Sequence, residues 1–313
     1  AAPASSGAPA VTSGPATYYV DATLGSDART KVQAQSAATP WQTIGKALAA
    51  GSASSGDTIL VAAGSYPGAI TTQTAGITLR ATGAATITPA ANATAITVNH
   101  PGVVVDGFTL SGGVHGLKAT AASGVVVRRC TVLGQSANGI MIVGTTGATV
   151  DSNVVSSVNG QGILIDHSAQ AYVRNNRVSS SGDWGIHVDN SGSPLPAVSS
   201  GNVLAFNTVV GGGRLVAAGG IRLDNATGEV RDNVVSGNSN RGIRTDSAPT
   251  MVHHNIVFGS AQALQNGAAA PTLWANLFVD PKLVNPAGGD DSLQADSPAI
   301  DHGSGSPEAQ DIS

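Results

Sequence analysis

Charged side chains recur at two fixed places in a repeated sequence phrase, and their types could move protons and hold anions or metal ions. The phrase starts with Gly-Ile at Gly139, Gly162, Gly185, Gly220 and Gly242. Its third position reads, along the chain, Lys118, Met141, Leu164, His187, Arg222, Arg244 and Gln265. Its fifth position reads Thr120, Val143, Asp166, Asp189, Asp224 and Asp246. The charged letters are therefore concentrated in the central repeats.

These residue types predict three chemical roles. A histidine such as His187 can accept a proton near neutral pH. The guanidinium groups of Arg222 and Arg244 can each fork onto a carboxylate. Carboxylate oxygens are the ligands that Ca²⁺ prefers. We therefore predict catalytic residues, a calcium site and substrate-binding residues. The predicted catalytic residues are His187, Arg222 and Arg244. The predicted calcium ligands are Asp166, Asp189, Asp224 and Asp246, and the predicted substrate-binding residues are Lys118, Asp183 and Trp184.

Simpler structural roles compete with each of these assignments. An aspartate followed by His, Asn or Ser also forms turns by bonding nearby backbone. Outward arginines and aspartates can neutralise one another as surface pairs that contribute little to stability. Trp184 can stack on a sugar ring or cover its own turn. His253 and His254 lie in a different phrase, where a surface role is the simpler interpretation.

The elements that position these residues follow from a second repeated phrase. This second phrase has six positions, as in Val150-Asp151-Ser152-Asn153-Val154-Val155, and its fourth position is an asparagine in most repeats. It recurs with a period of ~22 residues. The asparagines are Asn153, Asn176, Asn207, Asn233, Asn255 and Asn276, and Phe108 and Cys130 continue the column towards the N-terminus. Each period contains short alternating apolar and polar segments, which predict strands. We expect a single right-handed parallel β-helix, an all-β solenoid of ~22-residue coils. Stacked asparagine amides would hydrogen-bond along the bend.

Composition supports a chain of many short strands and excludes other classes. Gly accounts for 40 of 313 residues, while charged residues are 11%. Glycine weakens helix interiors, so extensive helix is disfavoured. The net charge of −4 argues against nucleic-acid binding. No run approaches the ~18 apolar residues of a membrane span, and Cys130 is the single cysteine, so no intrachain disulfide can form.

The ends of the chain predict a linker, two caps and a tail. Residues 1–17 lack charge and periodicity, which predicts a flexible linker left after removal of a signal peptide. Residues 18–302 are predicted to form the β-helix domain, with residues 18–66 as N-terminal cap and first coil and 277–302 as C-terminal cap. Residues 41–50 predict a short capping helix after Pro40, and 303–313 a tail. Insertions at 190–201 and 211–219 predict loops beside the charged repeats.

Several segments near the two ends of the chain form recognisable motifs. They are Tyr18-Tyr19-Val20-Asp21, Gly25-Ser26-Asp27, Pro40-Trp41-Gln42-Thr43-Ile44-Gly45-Lys46-Ala47, Gly56-Asp57-Thr58-Ile59, Gly64-Ser65-Tyr66, Leu277-Phe278-Val279-Asp280-Pro281 and Asp296-Ser297-Pro298-Ala299-Ile300-Asp301. These segments resemble the ends of bacterial right-handed β-helix proteins of the polysaccharide lyase family nine type. The resemblance implies the fold over residues 18 to 302. It implies activity only weakly, because one fold hosts many functions. Lyases of that family use a lysine base beside calcium-binding aspartates, yet no lysine lies between Lys118 and Lys282.

The functional expectation is a secreted or cell-surface bacterial enzyme that cleaves an acidic, uronic-acid-containing polysaccharide by β-elimination. Elimination needs a cation to neutralise the sugar carboxylate, a base to take the neighbouring proton and assistance to the leaving oxygen. The alternatives are a non-catalytic carbohydrate-binding or adhesion protein, a uronate C5-epimerase and a glycoside hydrolase that uses two aspartates. The expected partner is the acidic polysaccharide, with neither nucleic acid nor a membrane span, and the expected state is a monomer.

Overall fold

The repeated phrases form short parallel strands that stack into three long sheets. A computed structural model describes residues 14–191, 199–246, 250–267 and 270–305. The chain visits the three sheets in turn, one coil after another. The predicted all-β, right-handed parallel β-helix is confirmed.

The three sheets are named here in the order in which each coil visits them. Sheet 1 contains Thr17–Val20, Thr58–Val61, Thr78–Ala81, Val104–Asp106, Val126–Arg128, Thr149–Asp151, Tyr172–Arg174, Asn202–Ala205, Gly228–Arg231, Thr250–His253 and Thr272–Trp274. Sheet 2 contains Gly64–Pro67, Ala85–Thr88, Thr109–Ser111, Thr131–Leu133, Val154–Ser156, Arg177–Ser179, Thr208–Val210, Val234–Ser236 and Ile256–Phe258. Sheet 3 contains Ile70–Thr71, Ile96–Val98, Leu117–Thr120, Ile140–Val143, Ile163–Asp166, Ile186–Asp189, Gly219–Asp224, Arg241–Thr245 and Gln262–Asn266.

Strand alternation separates the core from the outer face. In Ile186–Asp189, for example, Ile186 and Val188 are fully buried in the apolar core. His187 and Asp189 alternate with them and point to the opposite side of the strand, because successive side chains of a strand point to opposite faces. The fixed apolar letters of the phrase thus fill the solenoid, and its variable letters form the outer face of sheet 3.

The asparagine column forms the predicted ladder at the bend between sheets 1 and 2. The Asn207 amide donates to Asn233 Oδ1 at 3.0 Å and to the Val173 carbonyl at 2.9 Å, and its own Oδ1 accepts from Asn176. The same pattern runs from Asn153 to Asn276. Each buried amide satisfies bend backbone that no strand partner reaches.

The glycine that opens each sheet 3 phrase is required by close packing between layers. A Cβ at Gly185 would stand 2.2 Å from Val209 Cγ1 and 2.9 Å from the Gly220 carbonyl oxygen. Both distances are shorter than real Cβ contacts, so a side chain here would push the layers apart. The glycine therefore lets the chain enter the strand that carries His187.

The N-terminal end is closed by a shorter helix than the sequence predicted. The prediction placed it at residues 41–50, but the helix is Ile44–Leu48. Asp27 fixes the approach in an extended conformation by accepting from the backbone of Gln42 and Thr43, and Thr43 then caps the helix. Short 3₁₀ turns occur at Gln33–Gln35 and Pro286–Gly288, and Leu283–Asn285 pairs antiparallel with Asp290–Leu293.

No helix within the described ranges is long and apolar enough to cross a membrane.

Candidate functional site

The register of sheet 3 brings the predicted charged residues together on one outer face. His187 pairs with Arg222 on the next coil, and Asp189 pairs with Asp224. Arg222 pairs in turn with Arg244. Adjacent strands lie ~4.8 Å apart, so these side chains are immediate neighbours. We call the surface formed by His187, Asp189, Arg222, Asp224, Arg244 and Asp246 the charged face.

His187 is the most unusual group of the charged face. Its ring is 5% exposed although it points away from the core, and neither Nδ1 nor Nε2 has a hydrogen-bond partner. Burial lowers its pKa to about 4; Arg222 reinforces the decrease, and Asp189 and Asp246 oppose it. The imidazole is therefore neutral at neutral pH, with a lone pair that no protein group uses. Buried polar groups without partners are rare in proteins.

The two arginines are held by two aspartates. Asp246 accepts from Arg222 Nη2 at 3.0 Å through Oδ2 and from Arg244 Nη2 at 2.8 Å through Oδ1. Asp224 Oδ2 accepts from Arg222 Nη2 at 2.6 Å. These pairs are three-quarters or more buried, so they fix the guanidinium groups side by side. A guanidinium has five N–H donors, so each arginine keeps donors beyond those in the pairs.

The four aspartates predicted as calcium ligands do not form one group. Asp166 pairs with the buried His167, and both oxygens of Asp246 are bound by Arg222 and Arg244. Asp189 Oδ1 accepts the Ser191 backbone N–H at 2.8 Å in a local turn. Turn formation and arginine pairing, the simpler roles considered for these residues, therefore account for much of the column.

Two aspartates remain close to the unpartnered histidine. One ligand atom each of His187, Asp189 and Asp224 lies within 4.8 Å of the others, the one such group among the described residues. Burial raises the pKa of Asp224, and the negative charges of Asp189 and Asp246 add to the increase while Arg222 opposes it. The group has one nitrogen and two carboxylates. It is a poor match for Ca²⁺, which takes about six to eight oxygen ligands.

Trp184 and Asp183 form the edge of the charged face before His187. The Trp184 ring is only 4% exposed. It lies 6.3 Å from the His187 ring and 5.8 Å beneath the Arg222 guanidinium, so it supports the two groups and offers little surface for a sugar to stack on. Asp183 accepts from Gln161 Nε2 at 2.8 Å, and burial raises its pKa.

The insertion at 211–219 folds against this edge, as its position in the sequence predicts. Gly213 donates its backbone N–H to the Asp183 carbonyl at 2.7 Å, and Leu215 donates to the Gly182 carbonyl at 2.8 Å. The insertion at 190–201 also follows the charged face, but residues 192–198 lie outside the described residues. Lys118 is three coils away from His187 in the same column, roughly 14 Å along the sheet.

A second polar cluster on sheet 1 was not predicted. His253 is buried, and its ring hydrogen-bonds through Nε2 to Glu229 Oε1 and through Nδ1 to His254 Nδ1, each at 2.8 Å. The His253 ring also stacks on Trp274, with ring centroids 3.9 Å apart. No local sequence pattern predicts it, because Glu229 lies a full coil earlier than His253. The surface role considered for these two histidines is thus replaced by a partly buried network.

Comparisons with known proteins agree with the fold. A family model described as the right-handed beta helix region matches residues 69–198. A search of curated protein sequences finds no match to this chain. Many solved structures are similar, among them that of pectate lyase Pel9A, with a TM-score of 0.70 and 15% identity over 95% of this chain and 94% of that one.

Two further structures show the range of enzymes with this architecture. A lacto-N-biosidase from Eubacterium ramulus is similar with a TM-score of 0.60 and 12% identity, over 84% of this chain and 67% of that one. The periplasmic alginate epimerase AlgG is similar with a TM-score of 0.56 and 15% identity, over 72% and 61%. Similarity at these identities establishes the architecture, so function must be argued from the charged face itself.

Proposed function

We propose that the protein is a polysaccharide lyase that cleaves an acidic, uronic-acid-containing polysaccharide by β-elimination at the charged face. The observation that carries the proposal is a neutral, unpartnered His187 directly in register with Arg222 and Arg244. A neutral base next to fixed guanidinium groups is the combination that removal of a proton beside a carboxylate requires.

The roles follow from the geometry. Arg222 and Arg244 bind the uronate carboxylate through the donors that their aspartates leave free, which lowers the cost of carbanion character at the neighbouring carbon. His187 takes the proton from that carbon. The electron pair forms the new double bond, the bond to the leaving oxygen breaks, and water supplies the proton to that oxygen. Because both ring nitrogens are covered, substrate binding must displace the side chains above the ring.

The remaining residues position these groups. Trp184 supports His187 and Arg222 from one side. Asp246 holds the two arginines through its two carboxylate oxygens. Lys118, three coils away in the same column, supplies a separate positive charge for a second sugar acid of a long chain. The pectate lyase, alginate epimerase and lacto-N-biosidase that share the architecture support a long carbohydrate substrate, and a polymer of this kind is met outside the cytoplasm, so we propose a secreted or cell-surface protein.

Hydrolysis is the second candidate function, and a specific observation favours it. Burial raises the pKa of both Asp183 and Asp224, and a carboxyl group with a raised pKa can act as a general acid on a glycosidic oxygen. In this alternative the arginines would bind the sugar and His187 would have no proton to remove.

One experiment separates these functions. The full chain is incubated with polygalacturonate, alginate and a glycosaminoglycan, and ultraviolet absorbance of the unsaturated uronate is followed beside the yield of reducing ends. We expect both signals to rise together with one of these polymers. New reducing ends without the absorbance would establish hydrolysis, and a changed uronate composition without chain cleavage would establish epimerisation. Retention of the polymer with no product would leave only a binding protein.

A further inference from the structure

The most informative unexplained feature is a buried histidine without hydrogen-bond partners beside two carboxylates. Both ring nitrogens of His187 are buried and have no partner. Asp189 and Asp224 present carboxylate oxygens within 4.8 Å of the ring nitrogen and of each other. Two like charges at this distance repel one another, and the raised pKa of Asp224 reflects this repulsion after the larger effect of burial. A cation would relieve both costs.

The register shows that this cluster is built into the sheet. His187 and Asp189 are two residues apart on one strand, so they share its outer face. Asp224 lies directly beside Asp189 on the next strand. Three ligands held by two paired strands keep their spacing without a mobile loop. The groups that cover the ring nitrogens of His187 must move to admit an ion, as they must to admit a substrate.

We infer that His187, Asp189 and Asp224 bind a divalent first-row transition-metal ion of the Zn²⁺ type, and that this ion stops elimination because it occupies the lone pair of His187. The first half stands on the cluster alone. The second half rests on the proposed function, in which that lone pair accepts the substrate proton.

The donor set decides the class of ion. Imidazole nitrogen suits Zn²⁺ and its neighbours in the periodic table, while Ca²⁺ and Mg²⁺ favour oxygen ligands alone. Metal–ligand distances near 2.1 Å place any two ligands at most about 4.2 Å apart. The atoms of the cluster, within 4.8 Å of each other, need only small side-chain rotations to reach that spacing.

Neighbouring charges permit this occupancy. Asp224 and Asp246 together balance the two positive charges of Arg222 and Arg244, so the arginines add little repulsion to an incoming cation. Asp224 shares its Oδ2 with Arg222, and its carboxylate has a second oxygen to offer. Asp189 Oδ1 accepts from the Ser191 backbone, which orients the carboxylate in the way that outer-shell bonds orient metal ligands.

The test measures binding of ZnCl₂ and CaCl₂ to the full-length chain by titration calorimetry, with Co²⁺ as a spectroscopic substitute for Zn²⁺. The variants are His187→Gln and Asp224→Asn, with His100→Gln as a control from another coil, just after the sheet 3 strand Ile96–Val98. We expect one Zn²⁺ site in the wild type and in His100→Gln, lost in both cluster variants, and no Ca²⁺ binding at the same concentrations. The visible spectrum of bound Co²⁺ should disappear with His187→Gln, which remains folded by circular dichroism.

The two halves of the inference fail separately. Zn²⁺ binding that survives both His187→Gln and Asp224→Asn would overturn the site. A Zn²⁺-loaded chain that still forms the unsaturated product at the metal-free rate would overturn the inhibition. A third outcome separates the site from the function. If the wild type binds Co²⁺, His187→Gln does not, and the wild type forms no unsaturated product with any polymer, the metal site stands and the proposed lyase function fails.

Discussion

Among single residues, His187 stands out because its environment sets both its charge and its availability. The ring is buried on an outward-facing strand position, next to Arg222 and supported by Trp184. Desolvation keeps it neutral far below the pH at which an exposed histidine charges. The ring nitrogen therefore keeps an unprotonated lone pair over a wide pH range.

The depressed pKa of His187 also makes a prediction about stability. The pKa is about 4 in the folded chain and 6.5 ordinarily. Between these values the unfolded chain binds a proton that the folded chain does not, so the free energy of unfolding falls as the pH falls. The contribution of neutral His187 is complete above pH 6.5 and is lost progressively towards pH 4. From pH 7 to 4 this loss amounts to about 3 kcal/mol.

Denaturant unfolding of the wild type and His187→Gln over this pH range checks the prediction. The charged groups around the ring, Asp189, Asp224, Asp246 and Arg222, remain in both proteins, so the difference between the two isolates the histidine. We expect the stability of the wild type relative to His187→Gln to decrease on acidification. A constant difference between pH 7 and pH 4 would show that the ring is not desolvated in the folded chain.

Side-chain pairing at the charged face was only partly predictable from the sequence. The repeated phrase predicts that His187, Arg222 and Arg244 share one column, and the register bears this out. It does not say whether an aspartate turns to a metal, a neighbour or its own backbone. Asp166 turns to His167 and Asp246 to two arginines, and these choices depend on rotamers and short distances that a repeat pattern does not encode.

At the scale of secondary-structure elements, the glycine before each sheet 3 strand controls how closely the layers approach. Replacing Gly185 with alanine puts a methyl group 2.2 Å from Val209 Cγ1 and 2.9 Å from the Gly220 oxygen. Overpacking of this kind costs about 1–3 kcal/mol. We expect Gly185→Ala to lower the thermal unfolding midpoint and to displace His187, which is two residues further along the chain.

Gly45 provides the control, because a Cβ there meets nothing closer than 3.9 Å. Gly45 lies in the short helix Ile44–Leu48, where alanine is favoured over glycine by up to about 1 kcal/mol. Gly45→Ala should therefore leave the unfolding midpoint unchanged or raise it slightly. Equal midpoints for Gly185→Ala and Gly45→Ala would contradict the close-packing explanation of the phrase.

Elements that depend on distant contacts were predicted less well. The capping helix is shorter than its amphipathic pattern because Asp27, well upstream, holds Gln42 and Thr43 in an extended approach. The network of Glu229, His253 and His254 joins residues from successive coils. Coil lengths vary, so no local pattern brings these residues into register.

At the scale of the whole molecule, the solenoid is stabilised by repetition along two columns. The apolar letters fill a continuous core, and the asparagine ladder satisfies the bend from one coil to the next. In such a structure each coil contacts mainly its neighbours. A defect in one central coil is therefore expected to weaken the adjacent coils as well, including those that carry the charged face.

Asn207 is the position at which this expectation is most directly tested. Asn207→Ala removes the side-chain donor of the Val173 carbonyl and one of the two donors of Asn233 Oδ1. It also leaves the backbone N–H and the side-chain amide of Asn176 without their shared acceptor. Buried unsatisfied groups cost about 1–3 kcal/mol each. We expect a marked loss of stability in denaturant unfolding, whereas Asn240→Ala, which removes a single 3.3 Å bond to Ala217, should change little. Similar losses for both would argue against a cooperative ladder.

The central claim is that His187 removes a proton from a uronate at the charged face. The most direct measurement is the initial rate of unsaturated product formation, by ultraviolet absorbance, for the wild type, His187→Gln and His100→Gln on the polymer that is cleaved. Loss of a general base typically costs ~10²–10⁴-fold in rate, so His187→Gln should fall by at least about 100-fold while His100→Gln matches the wild type. A folded His187→Gln variant with the wild-type rate would contradict the account.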